Sequence, residues 1–304
     1  MTSQGRSLHR LRQPFDLFGK LGDHLVGRYL AKRARQHVAD GLPPLAGFAF
    51  DYIAREVNLR GAFEREELAM LAEFLAPMAD RFAGTTALDI GANIGNHSLF
   101  FAPRFKAVHS FEPNPRTFGV LSVNARLADN VTVHNMALGE EAGTLTLTYN
   151  PLNVGEASLV QSYDGAAVRK VDVEVGVVDA MAGSFGPVSF IKIDVEGFEP
   201  QVLRGARQLL TEQHPVIAFE QNPPAFADGR SETAEFLQSL GYRLCVMTKR
   251  NVGHGLLGQL RSVVAKLASG IEYDIVEVDR LAPGHYPMII AVWPGDLPLL
   301  TRAA

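Results

Sequence analysis

The sequence predicts an α/β fold, a doubly wound and mostly parallel sheet of seven strands, with a helical N-terminal extension and a small β insertion. Three observations predict it. Short apolar runs at 86–90, 107–111, 131–135, 188–193, 216–219, 242–247 and 288–292 have the length and side-chain types of strands. Helical patterns at 96–103, 115–127, 200–210 and 231–239 alternate with them, the rhythm of βαβ units. Two of the runs, Thr86–Ile90 and Val188–Ile193, end in a glycine turn that opens a helix.

The elements follow in order along the chain. Residues 1–40 are rich in Lys and Arg and carry only three acids, Asp16, Asp23 and Asp40. Phe15, Phe18, Leu21, Leu25 and Tyr29 recur at helical spacing, so 1–45 reads as a basic helical extension. The first reading is a helix packed on its own domain; peripheral contact with an anionic membrane is the alternative. Gly41-Leu42-Pro43-Pro44 marks a boundary. A cap segment, 46–84, follows. In it, Phe48–Leu59 alternates loosely like a small hairpin over the site, and Phe63–Ala79 reads as a helix with Leu68, Leu71, Leu75 and Met78 on one face. The main domain spans 85–304. Within it the rhythm breaks at 143–176, where 144–148 and 171–175 alternate with period two, as antiparallel strands around a loop at 150–168 do. The stretch 249–280 reads as a basic helical insertion. The final strand pair, 242–247 and 288–292, reads as a hairpin.

Composition narrows the classes. The 304 residues are 47% hydrophobic, ample for one large domain with an appendage. A net charge of −4 gives no footprint for a nucleic acid, so methylation or binding of one is not expected. The single cysteine, Cys245, excludes an internal disulfide and a cysteine zinc site, and its apolar run makes it a small buried hydrophobe. With no apolar run of about 20 residues and no signal-peptide core, the expected setting is cytoplasmic.

The chemistry concentrates in Ala87-Leu88-Asp89-Ile90-Gly91-Ala92-Asn93-Ile94-Gly95-Asn96. Gly91 lets a ligand approach the backbone, because no Cβ stands in the way. The helix starting at Asn96 turns free N–H groups toward the same space, which adds Asn96 and Ser98 to the candidates. The spacing D-x-G-x-x-x-G differs from the G-x-G-x-x-G that receives a pyrophosphate. A carboxylate at Asp89 repels a pyrophosphate but attracts an ammonium or a sulfonium, and S-adenosylmethionine carries both. Glu112, ending the next strand in Phe111-Glu112-Pro113-Asn114, stands where such folds bind ribose hydroxyls.

A second constellation is Ile191-Lys192-Ile193-Asp194-Val195-Glu196-Gly197-Phe198-Glu199-Pro200. Lys192 and Asp194 share a strand face, and a buried ammonium needs a partner. A methyl donor that arrives activated leaves two tasks to the protein: aligning the acceptor oxygen and accepting its proton. Asp194 is the candidate base, with Lys192, Glu196 and Glu220 in support. Carboxylates can hold Mg²⁺, but the spacing does not call for a metal and none is assigned. Asn222-Pro223-Pro224-Ala225 is near the N-P-P-aromatic motif of amino-group methyltransferases, but it follows the fifth strand and ends in alanine.

These motifs, with Asn135-Met136-Ala137-Leu138-Gly139 between them, resemble the FkbM family of S-adenosylmethionine-dependent methyltransferases over about 52–222. The resemblance implies a class I methyltransferase, Rossmann-like fold and O-methylation of a carbohydrate, glycolipid or related metabolite. It implies that Asp89, Gly91, Asn93, Gly95, Glu112 and Pro113 line the cofactor, that Ala137 and Leu138 flank the adenine, and that 155–159 lies toward the substrate. Three rivals stay open: N-methylation, a non-catalytic S-adenosylmethionine-binding module, and a nicotinamide-dependent oxidoreductase. The oligomeric state is not legible.

Overall fold

A computed structural model of the protein describes residues 16–150, 153–158, 169–249 and 273–301. The chain opens with helices α1 (Leu17–Ala39), α2 (Tyr52–Arg60), α3 (Arg65–Phe74) and α4 (Ala79–Ala83). Strand β1 (Thr86–Ile90), helix α5 (Asn96–Phe101), strand β2 (Ala107–Phe111), helix α6 (Pro115–Asn124) and strand β3 (Val131–His134) follow. A small sheet is built from β4 (Ala137–Leu138), β5 (Gly143–Asn150), β6 (Asn153–Ser158) and β7 (Arg169–Gly176). The main sheet resumes through α7 (Val178–Phe185), β8 (Val188–Ile193), α8 (Glu199–Arg204), α9 (Arg207–Gln213) and β9 (Val216–Gln221). Beyond a short ladder, β10 (Phe226–Ala227) with β11 (Arg230–Ser231), come α10 (Glu232–Ser239), β12 (Arg243–Lys249), β13 (Tyr273–Val278) and β14 (Tyr286–Val292).

The main sheet has the order β13-β12-β14-β9-β8-β1-β2-β3. The five strands β3, β2, β1, β8 and β9 pair in parallel, while β14, β12 and β13 pair antiparallel. The order reverses between β1 and β8, and in open α/β sheets that switch point is where ligands bind, beyond the carboxyl ends of the strands. Alternate side chains load the two faces. Leu88, Ile90, Ile191, Ile193, Ile217 and Phe219 pack into one core, and Ala87, Val108, Phe190, Val216 and Ala218 into the other. Cys245 lies in the second core, where burial pushes its thiol up to about 11, so it is the inert packing residue expected.

Five expectations are corrected. The sheet has eight strands rather than seven, because Tyr273–Val278, expected inside a helical insertion, pairs with β12; residues 250–272 of that insertion lie outside the described residues. The expected hairpin over Phe48–Leu59 is α2. Its inward residues Ile53 and Ala54 are buried and Arg60 pairs with Glu56 one turn back at 2.7 Å, contacts that a helix allows and a strand does not. The helix expected over 63–79 breaks after Phe74, because Pro77 cannot donate to the next turn, yet Leu68, Leu71, Leu75 and Met78 are all buried as expected. Within the expected loop 150–168, Asn153–Ser158 pairs with β5. The helix expected over 200–210 divides at Gly205, where a Cβ would meet the Gly139 carbonyl oxygen at 2.0 Å.

Candidate active site

The turn after β1 is built by close approach. Gly91 has φ +79°, and a Cβ there would lie 1.8 Å from the backbone oxygen of Asp194. No other residue type fits, so the ends of β1 and β8 touch backbone to backbone. The Gly91 and Ala92 N–H groups both donate to the Phe111 carbonyl, at 3.0 and 2.9 Å, and the Asp194 N–H donates to Ile90 at 2.9 Å. Three strand ends are thus tied together at the switch point.

Two cavities open there. The first, about 60 Å³, is lined by Gly91, Asn93, Glu112, Pro113, Met136, Ala137, Leu138 and Phe198, among others. The second, about 210 Å³, is bounded by Tyr52, Ile53, Phe63, Glu64, His97, Lys192 and Glu220. Gly91, Asn93, Asp194 and Glu196 line both, so the cavities adjoin along that wall.

In the first cavity Glu112 is the only acid on the β2 side. Its oxygens accept the Asn93 and Asn114 N–H groups at 3.0 and 2.8 Å, which fixes the carboxylate while leaving lone pairs for further donors. Burial raises its pKa to about 7, against the lowering by those N–H groups and by Lys192. Pro113, Ala137 and Leu138 supply an apolar wall.

The structure redistributes the other candidates. Asp89 lies wholly buried and lines neither cavity. Its Oδ2 accepts from Ser98 Oγ at 2.6 Å, and its Oδ1 lies 3.7 Å from Lys192 Nζ. The sequence reading aimed its carboxylate at a cationic ligand; in the structure the parallel register pairs Asp89 with Lys192, and the ammonium takes it inward. Ser98, itself buried, holds Asp89 and accepts from Ser110 Oγ at 2.8 Å, so it supports the turn rather than a ligand. Gly95, at φ +89°, supplies the left-handed turn before α5 and packs against Leu121 outside both cavities. Asn96 borders the second cavity, but its side-chain amide bonds the backbone of Phe63 at 3.0 and 2.9 Å and so anchors the cap segment.

Lys192 is the hub. Its Nζ donates to the Gly91 carbonyl at 3.1 Å and to Asp194 Oδ2 at 3.2 Å. Burial works against its charge, but Asp194, Asp89 and Glu64 outweigh burial and leave the pKa above the ordinary lysine value. Glu199, buried at the start of α8, accepts the Val195 and Gly197 N–H groups at 3.1 and 3.2 Å and shapes the loop carrying Asp194 and Glu196.

The second cavity holds residues the sequence reading missed. His97 Nε2 lies 3.1 Å from Glu64 Oε2, and both line the cavity together with Asp194 and Glu220. Glu64 reaches the site from a left-handed turn between α2 and α3, at φ 53°, which no local pattern signals. Glu220 accepts from Asn222 Nδ2 at 2.9 Å, and Asn222 Oδ1 is bonded to His285 at 2.7 Å, so the Asn-Pro-Pro turn positions Glu220. Burial raises the Glu220 pKa to about 8, helped by Asp194, Glu64 and Glu196.

That elevation has a sign. Between its unfolded value near 4.5 and about 8, the folded protein binds a proton the unfolded chain lacks, so Glu220 lowers stability as pH rises through that window. Glu220→Gln is expected to stabilise the protein at pH 9 by about 1 kcal/mol or more, with the gain vanishing toward pH 4. Urea unfolding of both proteins across pH checks this; a pH-independent difference would contradict it.

Among the described residues no group of three or more His, Cys, Asp or Glu has the geometry to hold a metal. The cradle does suit a nucleoside methyl donor. It offers the fixed carboxyl of Glu112, an apolar flank at Ala137 and Leu138, and a turn with no Cβ at Gly91.

The family model of the methyltransferase FkbM domain matches residues 89–244. The chain belongs to the FkbM methyltransferase family. The run β3-β2-β1-β8-β9-β14-β12, in which β14 lies antiparallel to its neighbours and to which β13 adds an edge, is accordingly the class I methyltransferase sheet, and S-adenosylmethionine is the methyl donor. Methyltransferase sdnD of Sordaria araneosa is 33% identical over 152 residues, 39% of this chain and 59% of that protein. Hexuronic acid methyltransferase AglP of Haloferax volcanii is 27% identical over 130 residues, 42% of this chain and 53% of that protein. The chain thus spans less than two thirds of either relative. A methyltransferase FkbM from Methylobacillus flagellatus has a TM-score of 0.39 at 17% identity, covering 69% of this chain and 44% of that one.

Proposed function

We propose that this FkbM-family protein is an O-methyltransferase that moves a methyl group from S-adenosylmethionine to a hydroxyl of a carbohydrate, glycolipid or related small metabolite. The observation that carries the reading is Asp194, which lines both cavities and is held by Lys192 at 3.2 Å. Glu112, Gly91, Asn93, Ala137 and Leu138 would hold the donor in the first cavity. When bound, the donor supplies a methyl group on a sulfonium, which needs no further activation.

The chain's own residues then have the remaining tasks. The acceptor occupies the second cavity, between Tyr52, Ile53 and Phe63 on the cap and Glu220 on β9. Asp194 accepts the hydroxyl proton as the new bond forms, a step of the kind worth about 10²–10⁴ in rate. Lys192 fixes the orientation of Asp194. Glu220, protonated at neutral pH, offers a hydrogen bond to a second acceptor oxygen. Asn222, the residue an amino-group methyltransferase would direct at its acceptor, is committed to Glu220 and His285, which favours the hydroxyl. The buried single thiol of Cys245 goes with the cytoplasmic setting proposed for the reaction.

The charge of the second cavity sets a preference. Glu64, Asp194 and Glu196 face it as carboxylates against one ammonium, Lys192, while Glu220 is protonated at neutral pH. An acceptor carboxylate there adds like charge, and such juxtaposition costs several kcal/mol, of the order stated for mismatched interfaces. Neutral hydroxylated acceptors are therefore expected over uronates. The test incubates the full chain with S-adenosylmethionine and a panel of neutral sugars, glycolipids and uronic acids, read by mass spectrometry. Methyl ethers on neutral acceptors support the reading; methyl esters of uronates, or methylated amines, replace it.

A further inference from the structure

Helix α1 is 23 residues long, about 34 Å at 1.5 Å per residue, and two side-chain hydrogen bonds fasten it to α2 near its C-terminal end. Arg33 Nε donates to the Leu59 carbonyl at 2.7 Å, and His37 Nε2 lies 3.2 Å from the Asn58 carbonyl. From Lys20 to Tyr29 every residue is exposed. Leu21, Leu25, Val26 and Tyr29 each keep more than half of their surface in water. Leu21, Leu25 and Tyr29 form one stripe at i, i+4 and i+8, which Lys32 extends and Arg28 and Arg35 border. No carboxylate pairs with Arg28, Lys32 or Arg35 among the described residues.

Apolar side chains at this density, exposed on a helix among the described residues, need a cover. Charge decides which. Residues 1–40 carry eight Lys and Arg against three acids in a chain whose net charge is −4. Cations unpaired along an apolar stripe match an anionic lipid surface, which offers headgroup phosphates beside an acyl boundary. A second copy of the helix fits less well, since it would set Arg28, Lys32 and Arg35 against themselves and the stripe lacks the three or four heptads of a coiled coil. No helix among the described residues is long and apolar enough to cross a membrane, so α1 lies on the surface.

We propose that α1 is a membrane-surface anchor that lies along an anionic bilayer, with Leu21, Leu25 and Tyr29 in the acyl boundary and Arg28, Lys32 and Arg35 at the phosphates. The proposal does not depend on which acceptor is methylated. It does bear on presentation: α1 is tied to α2, and α2 supplies Tyr52 and Ile53 to the acceptor cavity. A lipid-bound helix therefore keeps that cavity near the headgroups.

The test is co-sedimentation of the full chain with vesicles of phosphatidylcholine alone and with phosphatidylglycerol added. Binding is expected to the anionic vesicles, weakening as salt rises. Arg28→Glu/Lys32→Glu/Arg35→Glu is expected to weaken it at least about tenfold, and Leu25→Asp/Tyr29→Asp to do likewise. Both variants should bind S-adenosylhomocysteine as the parent does, which shows that the fold persists. Failure of the parent to bind anionic vesicles overturns the anchor, as does equal binding by the variants. So does a dimer by light scattering that Leu25→Asp/Tyr29→Asp dissolves, which would give the stripe to a second copy.

Discussion

Lys192→Met is expected to lower the unfolding free energy by about 3–5 kcal/mol, the cost of stranding a buried charge by removing its partner. The stranded charge is Asp89. It is wholly buried, and its Oδ1 has no hydrogen-bond partner, so the Lys192 ammonium at 3.7 Å is what compensates it. The same substitution frees the Gly91 carbonyl and Asp194 Oδ2, each of which accepts from Nζ. Methionine matches the lysine stem in length, so packing is nearly conserved and the loss reports the charge. The raised Lys192 pKa gives a stabilisation that is complete below the unfolded value of about 10.4 and is lost only as pH rises through the folded one, so the deficit should be constant from pH 6 to 8. Urea unfolding checks it through a lower midpoint at unchanged slope. Adding Asp89→Asn should return part of the stability, because the amide still accepts from Ser98 and no longer carries a charge. A Lys192→Met protein within about 0.5 kcal/mol of the parent would mean that Asp89 is not held as an ion pair.

The same triad marks where sequence reading stops. The parallel strands, the two glycine turns and the pairing need of Lys192 were all legible, because each is set by local spacing or by the cost of burying one charge. Asp89 was legible as an acid at a strand end, but its direction was not. That depends on β8 lying beside β1 in the register that pairs Asp89 with Lys192, a fact 103 residues of chain separate from the motif. The acceptor side was still less legible. Glu64 and His97 meet beside the cavity only because α2 and α3 fold over the switch point, and the apolar positions of Phe48–Leu59 suit a hairpin and a helix about equally on pattern alone. The eighth strand escaped for a related reason. Tyr273–Val278 is a strand by its partner β12 rather than by strict alternation, and its residues are mostly half-exposed at the sheet edge.

Asp194→Asn is expected to reduce kcat by about 10²–10⁴ while leaving S-adenosylhomocysteine affinity within a few-fold of the parent. The amide keeps the size of the carboxylate and can still accept from Lys192, so the wall between the two cavities should hold its shape. What it loses is the capacity to take a proton. A loss confined to kcat therefore separates proton transfer from donor binding, which a purely structural Asp194 would degrade together. Glu220 is the competing base, and pH tells the two apart. With a pKa of about 8, a Glu220 base would make the rate climb through pH 8, and Glu220→Gln would abolish turnover. With Asp194 as base, Glu220→Gln instead weakens acceptor binding and appears in KM, because the protonated acid and the amide both donate a hydrogen bond but differ in geometry. An Asp194→Asn enzyme retaining a third or more of the parental kcat, paired with an inactive Glu220→Gln, would move the proton acceptor from the tip of β8 to the end of β9.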